Sequence, residues 1–341
     1  MPGKTKVKKF SSLQDVFQAF DKLKVLIIGD VMIDSYLWGN VERISPEAPV
    51  PIVHVQKRDQ RLGGAANVAL NVQSLGGTPI LASVIGNDGD GSSFLSLLKN
   101  NKLSTEGIIA SDERITTIKH RVIAGSHHML RVDQEIDTSI SKEDAAKLID
   151  KAKKLIAKCD VVIFEDYDKG ALNKQVIKEI IAFCNKTGVP TIVDPKKRNF
   201  LFYQKASLFK PNKKELKEGL KLDGNLKDRK EIEKAAQELK KQLNADTILI
   251  TLSEKGVFID NGSEKHLIPA HIREISDVSG AGDTVISIAA LCYALRLPAK
   301  LVAGLSNLGG GIVCEQIGVV PIDKQTLLEE ALKFNLFEAA N

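Results

Sequence analysis

The 341-residue chain is poor in aromatic side chains, with one tryptophan and 5% Phe, Trp and Tyr together. Its Lys-rich stretches are KTKVKK near the N-terminus, KLIDKAKKLIAK at 147–158 and KPNKKELKEGLK at 210–221. None has the interleaved aromatics of a single-stranded nucleic-acid platform, and the last two set lysine among apolar residues at helical spacing, as solvated helix faces do. No nucleic-acid partner is expected. Cysteine is scarce as well: Cys159, Cys184, Cys292 and Cys314 stand far apart without a CxxC pair. That spacing speaks against a thiolate metal site or a disulfide framework and suits reduced core residues of a cytoplasmic protein. No apolar run is long and clean enough to span a membrane, and the basic start lacks the apolar stretch of a signal peptide. FSSLQDVFQAFDKL alternates instead like a short amphipathic helix. What remains is 43% apolar and 27% charged with net charge +5, the make-up of a globular protein. No linker, repeat or second domain breaks it, so residues 1–341 read as a single domain.

Short β-rich runs alternate with helical patterns through most of the chain. KVLIIGD (24–30) reads as a buried strand and turn, AANVALNVQSLG (65–76) as a helix, PILASVIG as a strand and GSSFLSLLKNN as a helix. DVVIFED, VIKEIIAFCNKTG, PTIVDP, SLFKPN and TILITLSEKGVFID continue the theme. These lengths predict βαβ units and an α/β fold around a mainly parallel sheet. Ligands of such sheets bind at the carboxyl ends of the strands, where GD, EDYDKG, DP and KPN fall. Two segments, 34–58 and 116–135, are extended or β-branched and carry no helical pattern. They are long for featureless loops and predict a small β-sheet projecting as a lid.

The stretch DVSGAGDT (277–284) runs straight into the apolar VISIAALCYAL. A helix starting near Gly282 would aim the N–H groups of 280–283 and its dipole at one anion. Gly280 and Gly282 let backbone approach a phosphate, and Asp283 beside it then suits taking a proton from an attacking hydroxyl. A capped helix with glycine for close packing is the plainer alternative. In RLGGAANVALNVQSLGG, Gly63 and Gly64 precede a helix carrying Asn67, able both to donate to and accept from hydroxyls. In KPNKKE, Asn212 and Glu215 share one face of a turn. That pair suits a water-bound Mg²⁺ near phosphates, or a capping box, or both.

GGAANVALNVQSLGG and DVSGAGDT resemble the two signatures of the ribokinase-like (PfkB-type) carbohydrate kinases. GDVMIDSYLWGNVERISPEAPVPIVHV, GAGDTVIS and EDYDKGAL resemble the D-glycero-D-manno-heptose-7-phosphate kinase branch. The resemblance covers nearly all of residues 20–330. It implies a three-layer sandwich with a central mainly parallel sheet and a β-lid through which homodimers form. It also implies ATP and Mg²⁺ as cofactors, and in some relatives K⁺. Asp283 matches the catalytic base and Gly280, Ala281 and Gly282 the anion hole. Asn212, Lys213, Lys214 and Glu215 match the nucleotide and Mg²⁺ element, with Glu215 reaching the metal through water. Ser253 and Gly256 fall on the adenine-nucleotide loop. Asp30, Asp34, Gly63, Gly64, Asn67 and Asp166 match positions facing the sugar.

A sugar phosphate also needs cations, for which Arg43, Arg121, Arg131, Lys169, Lys196 and Arg198 are candidates, Lys196 also as an ATP-phosphate contact. Asp277 is a candidate for a monovalent cation. DPKKRNF departs from the small residues common after DPK in this branch. The chain carries no HxGH motif, so a separate nucleotidyltransferase is expected in the pathway. The resemblance thus implies an ATP-dependent kinase, a phosphotransferase with an alcohol acceptor, making a heptose 1,7-bisphosphate for ADP-heptose. In a loose transition state Asp283 needs position more than a raised pKa. The same machinery on fructose or a hexose phosphate, and a non-catalytic nucleotide or sugar sensor, stand as alternatives. A dinucleotide oxidoreductase is disfavoured, since no GxGxxG follows the first strand.

Overall fold

Strand residues alternate between two cores. Val25 and Ile27 pack into one apolar cluster and Leu26 and Ile28 into the other, and Val161 and Ile163 separate from Val162 and Phe164 in the same way. Successive side chains of a strand point to opposite faces, so a sheet apolar on both must be covered on both. The computed structural model describes residues 10–125, 127–224, 226 and 228–340, and the basic stretch 4–9 lies outside them.

In chain order, β1 (Lys24–Gly29) begins the main sheet, and β2 (Val31–Ile44) and β3 (Pro51–Gly64) leave it as a long antiparallel pair. β4 (Thr78–Gly86) and β5 (Gly107–Ser111) return, and β6 (Ile118–Ala124) and β7 (His127–Gln134) leave again. β8 (Val161–Glu165), β9 (Thr191–Asp194), β10 (Leu208–Phe209) and β11 (Thr247–Thr251) follow, then β12 (Val257–Asp260) and β13 (Lys265–Ile268). The nine-stranded sheet has the order β13-β12-β11-β10-β9-β8-β1-β4-β5, parallel from β11 to β5 and antiparallel at β12 and β13. The second sheet, β3-β2-β6-β7, is the lid expected from 34–58 and 116–135, with β2 and β3 reaching further, to 31 and 64.

The helices Ala65–Ser74, Ala281–Ala294 and Ala299–Val313 cover one face, and Lys142–Ile156, Lys174–Thr187 and Arg229–Leu243 the other. Each of the second set shows one apolar stripe and a lysine-bearing outer face, and the Lys-rich run at 147–158 falls on the first of them. Ala281–Ala294 is different. Every residue from Asp283 to Cys292 is buried, so this helix is enclosed on all sides, with Asp283 at its covered end. TILITLSEKGVFID is a hairpin rather than another strand–helix unit. A 3₁₀ turn at Ser253–Lys255 ends in Gly256 at φ +88°, and β12 comes back antiparallel. The amphipathic helix expected near the N-terminus is Leu13–Phe20, capped by Ser12. All four cysteines are free and buried. Among the described residues no helix is long and apolar enough to cross a membrane.

The first crossover starts from β1, whose neighbours β4 and β8 lie on opposite sides, so the chain reverses its direction of winding there. That is the switch point at which open α/β sheets bind ligands. β1 and β8 approach closely at their ends, where a Cβ on Gly29 would stand 1.9 Å from the Glu165 carbonyl oxygen. Gly29→Ala is therefore expected to destabilise the protein by about 1–3 kcal/mol through backbone displacement. Urea unfolding should show a lowered midpoint with an unchanged slope.

Candidate active site

Asp283 lies in the first turn of the helix Ala281–Ala294 and is 4% exposed. A carboxylate so placed needs donors, and two distant elements supply them. The Asn67 amide donates to Oδ2 at 2.6 Å, and the Tyr167 hydroxyl donates to Oδ1 at 2.9 Å. Burial pushes the Asp283 pKa up to about 6, against these two hydrogen bonds. Asn67 reaches it because the helices Ala65–Ser74 and Ala281–Ala294 are pinned in register by buried polar bonds. Thr284 donates to Asn71 Oδ1 at 3.0 Å and Asn71 donates to the Asn67 carbonyl at 3.0 Å, while the Ser287 hydroxyl lies 2.7 Å from the Asp283 carbonyl and 3.3 Å from the Val68 carbonyl.

The helix begins at Ala281, one residue before the expected start, with Gly280 as its N-cap at φ +83°. That left-handed conformation is what glycine supplies at 280. The Ala281 N–H is taken by the Val278 carbonyl at 3.3 Å, and among the described residues no acceptor pairs with the N–H groups of Gly282 or Asp283. A Cβ on Gly282 would find ordinary contacts with Asp194 Oδ2 at 3.7 Å and Lys210 Nζ at 3.8 Å. The protein tolerates a side chain there sterically, and glycine keeps the space over the helix end open.

Those two neighbours belong to a cluster that the motif reading did not single out. Glu165, Asp194 and Lys210 stand at the carboxyl ends of β8, β9 and β10, all buried. Lys210 Nζ meets Asp194 Oδ2 at 2.8 Å, and Asp194 holds the ammonium charged despite its desolvation. Glu165 Oε2, Asp194 Oδ1 and Asn67 Oδ1 are buried without a hydrogen-bond partner. Burial first, then the charges of Asp194 and Asp283, raise the Glu165 pKa well above the usual carboxylate range. The signal for these residues was positional: each ends an apolar run that reads as a buried parallel strand.

The carboxylates matched to the sugar each have partners within the fold. Asp30 accepts the backbone N–H groups of Tyr167, Lys169 and Ala171 at 2.9, 3.0 and 2.9 Å, fixing the loop after β8. Asp166 accepts from Tyr203, Asn199 and the Asp168 N–H at 2.7, 2.9 and 2.8 Å. Asp34 pairs with Arg121 beside the Tyr36 ring, over which Arg61 also lies at 5.0 Å. Gly63 and Gly64 admit the chain itself. A Cβ at 63 would stand 2.4 Å from Asp34 Oδ2, and one at 64, where φ is +60°, 2.5 Å from the Asp30 carbonyl oxygen.

Candidate cations carry carboxylate partners as well. Lys169 meets Glu135 at 2.6 Å, Arg131 meets Asp133 at 3.1 Å, Lys196 meets Glu215 at 2.6 Å, and Arg198 pairs with Asp137. Arg43 is exposed on β2. Asn212 and Glu215 form a complete capping box on the helix Lys213–Gly219, with Lys213 half-buried and Lys214 exposed. A parallel bridge from Asn212 to Thr251 sets this box beside the Ser253–Gly256 turn. Both Glu215 oxygens are engaged, Oε2 by the Asn212 N–H and Oε1 by Lys196, which suits a metal held through water rather than directly. Among the described residues no three acidic, His or Cys side chains converge as a direct metal site. Asp277 binds the N–H groups of Ser279 and Gly318, each at 2.9 Å. Against the desolvation of partial burial, these bonds hold its pKa below the ordinary value.

The Lys210–Asp194 pair is buried, whereas Lys196 is about one-third exposed. Lys210→Met should cost roughly 3–5 kcal/mol by leaving Asp194 unpaired, and Lys196→Met roughly 0–1 kcal/mol. Chemical denaturation of the two variants checks this contrast.

Residues 22–325 match the family described as pfkB family carbohydrate kinase. The chain is 40% identical over 309 residues to the Bifunctional protein HldE of Desulfatibacillum aliphaticivorans, covering 90% of this chain and 63% of that protein. It is 38% identical over 296 residues to the protein of the same name from Helicobacter pylori strain P12, covering 86% and 64%. The chain thus spans somewhat less than two thirds of these relatives. Phosphofructokinase-2 from Escherichia coli in complex with potassium superposes with a TM-score of 0.75 at 16% identity, over 92% of this chain and 98% of that one. Arabidopsis thaliana ribokinase complexed with ribose and ATP superposes with a TM-score of 0.69 at 14% identity, over 90% and 98%. Both likenesses establish a ribokinase-like fold.

Proposed function

The chain belongs to the pfkB family of carbohydrate kinases, and on that premise we propose that it phosphorylates the anomeric hydroxyl of D-glycero-D-manno-heptose 7-phosphate from ATP. The product is the 1,7-bisphosphate, a step toward ADP-heptose, with a nucleotidyltransferase as the partner activity. Residues 1–341 act as one kinase domain. The observation that carries the reading is Asp283, buried beside an open helix N-terminus and oriented by a donor on each oxygen. The heptose assignment is supported by RISPEAPVP, GAGDTVIS and EDYDKGAL and by the identity to the bifunctional relatives.

Asp283 takes the proton of the attacking hydroxyl, while the backbone N–H groups of Gly282 and Asp283 receive charge developing on the transferred group. Lys210 and Lys196, on neighbouring strand-end segments, add positive charge on the nucleotide side. When bound, Mg²⁺ neutralises phosphate charge, and Glu215 with Asn212 would hold it through water. Arg121, Arg131 and Lys169 are the cations assigned to the sugar's phosphate, which would share or displace their present carboxylate partners. Ser253 and Gly256 line the adenine side, and Asp277 is the candidate for K⁺. Homodimers form through the lid, where Val41, Ile44, Val50, Met129, Leu130 and Val132 are exposed.

Asp283→Asn should lower turnover by about 10²–10⁴-fold with ATP affinity unchanged. In the wild type, kcat/KM should fall as pH drops through about 6, where Asp283 gains its proton. The decisive assay is ADP release with the heptose phosphate against fructose 6-phosphate, fructose and ribose. Preference for another sugar overturns the substrate and keeps the kinase chemistry. Retained turnover in the Asn variant overturns the base.

For the dimer, Leu130→Glu places a charge on the exposed lid face. Sedimentation should then show a monomer of unchanged secondary structure, and an undisturbed dimer would refute the lid as its interface.

A further inference from the structure

We propose that Tyr167 is a positioning residue for Asp283, its hydroxyl holding the carboxylate in the orientation that meets the attacking hydroxyl. The inference rests on the reading of Asp283 as the base. Two donors from opposite sides, Tyr167 at Oδ1 and Asn67 at Oδ2, fix the plane of that carboxylate. Each oxygen keeps a further lone pair for an incoming proton.

The tyrosine is itself held by its backbone. Asp30 accepts the Tyr167 N–H and then the N–H groups of Lys169 and Ala171, so the loop carrying the phenol is tied to the end of β1. A rigid loop is what a group needs if it is to aim another side chain. On its other side the ring faces Lys196, whose ammonium lies 5.3 Å from the ring centroid and also grips Glu215. Tyr167 therefore stands between the capping box assigned to the nucleotide and the carboxylate assigned to the proton.

Electrostatics agree with this geometry. Burial, then the charges of Asp283, Glu165 and Asp194, keep the Tyr167 hydroxyl protonated and so a donor throughout the neutral range. Around Asp283, desolvation disfavours the charged form most, and Asp194 at the end of β9 acts in the same direction, while Glu165 at the end of β8 is itself raised by the charge of Asp283. Asn67, Tyr167 and, from the end of β10, Lys210 favour the charged form of Asp283. Removing the phenol hydroxyl takes away one of the three favourable groups and leaves the ring with its packing in place.

Tyr167→Phe is the test, read in the wild-type and Asp283→Asn backgrounds with ATP, Mg²⁺ and D-glycero-D-manno-heptose 7-phosphate. In the wild-type background kcat should fall roughly 10- to 100-fold, the size of one charge-assisted hydrogen bond, with KM for ATP within about twofold. In the Asp283→Asn background the same change should have no further effect. A substrate-free ¹³C-carboxyl titration, with Asp283 assigned by its loss in Asp283→Asn, should show its midpoint rising above about 6 in the Phe variant. An unmoved midpoint with wild-type kcat overturns the proposal. So does an equal loss in both backgrounds, because Tyr167 would then act apart from Asp283. Full turnover of Asp283→Asn alone would overturn the base assignment, a failure distinct from the other two because it does not involve the Phe variant.

Discussion

Burying Asp283 is the constraint around which the rest of the structure is arranged. A carboxylate excluded from water must find donors or give up its charge. Here the donors come from residues 67 and 167, one on a helix that follows the lid strands and one on the loop after β8. Neither is near residue 283 in sequence. The pinned helix pair, the Asp30 clamp and the adjacency of β1 and β8 each serve to bring the two donors to that spot.

A second consequence of the parallel sheet is that its strand ends collect charge. Glu165, Asp194 and Lys210 are adjacent because β8, β9 and β10 are, and only the Asp194–Lys210 pair is closed by a salt bridge. Partnerless oxygens on Glu165 and Asp194 leave buried acceptors beside an open helix N-terminus. A group carrying both phosphates and a cation fits such a juxtaposition, since each polar half meets its complement.

The lid is joined to the body by apolar contact of Val31, Ile33, Leu62 and Ile118 with the main core, and by charge beside it. Glu135, just after β7, bridges Lys119 of β6 at 2.9 Å and Lys169 of the loop after β8 at 2.6 Å, and Arg114 donates to the carbonyls of Ile136, Thr138 and Lys169. Of the cations proposed as phosphate ligands, Lys169 belongs to this junction, while Arg121 and Arg131 pair within the small sheet.

Local chemistry determined a good deal. The alternation of short β-rich runs and amphipathic segments specified a parallel sheet covered on both faces, because periods of 2 and 3.6 are written in neighbouring residues. The glycine-rich turn before an enclosed helix marked Gly280 and Asp283, and the Asn212–Glu215 capping box needs only a spacing of three. What the tertiary structure alone decided was which polar groups meet. Asp30, Asp34 and Asp166 look like sugar ligands in isolation. In the structure they also hold a loop, an arginine and a tyrosine, whose partner atoms stand 137, 87 and 37 residues away in the chain, where no local pattern shows them. The same distance hid Tyr167. Nothing beside it in the chain indicates that its hydroxyl ends at Asp283, because that contact exists only once the helix Ala281–Ala294 has packed against β8.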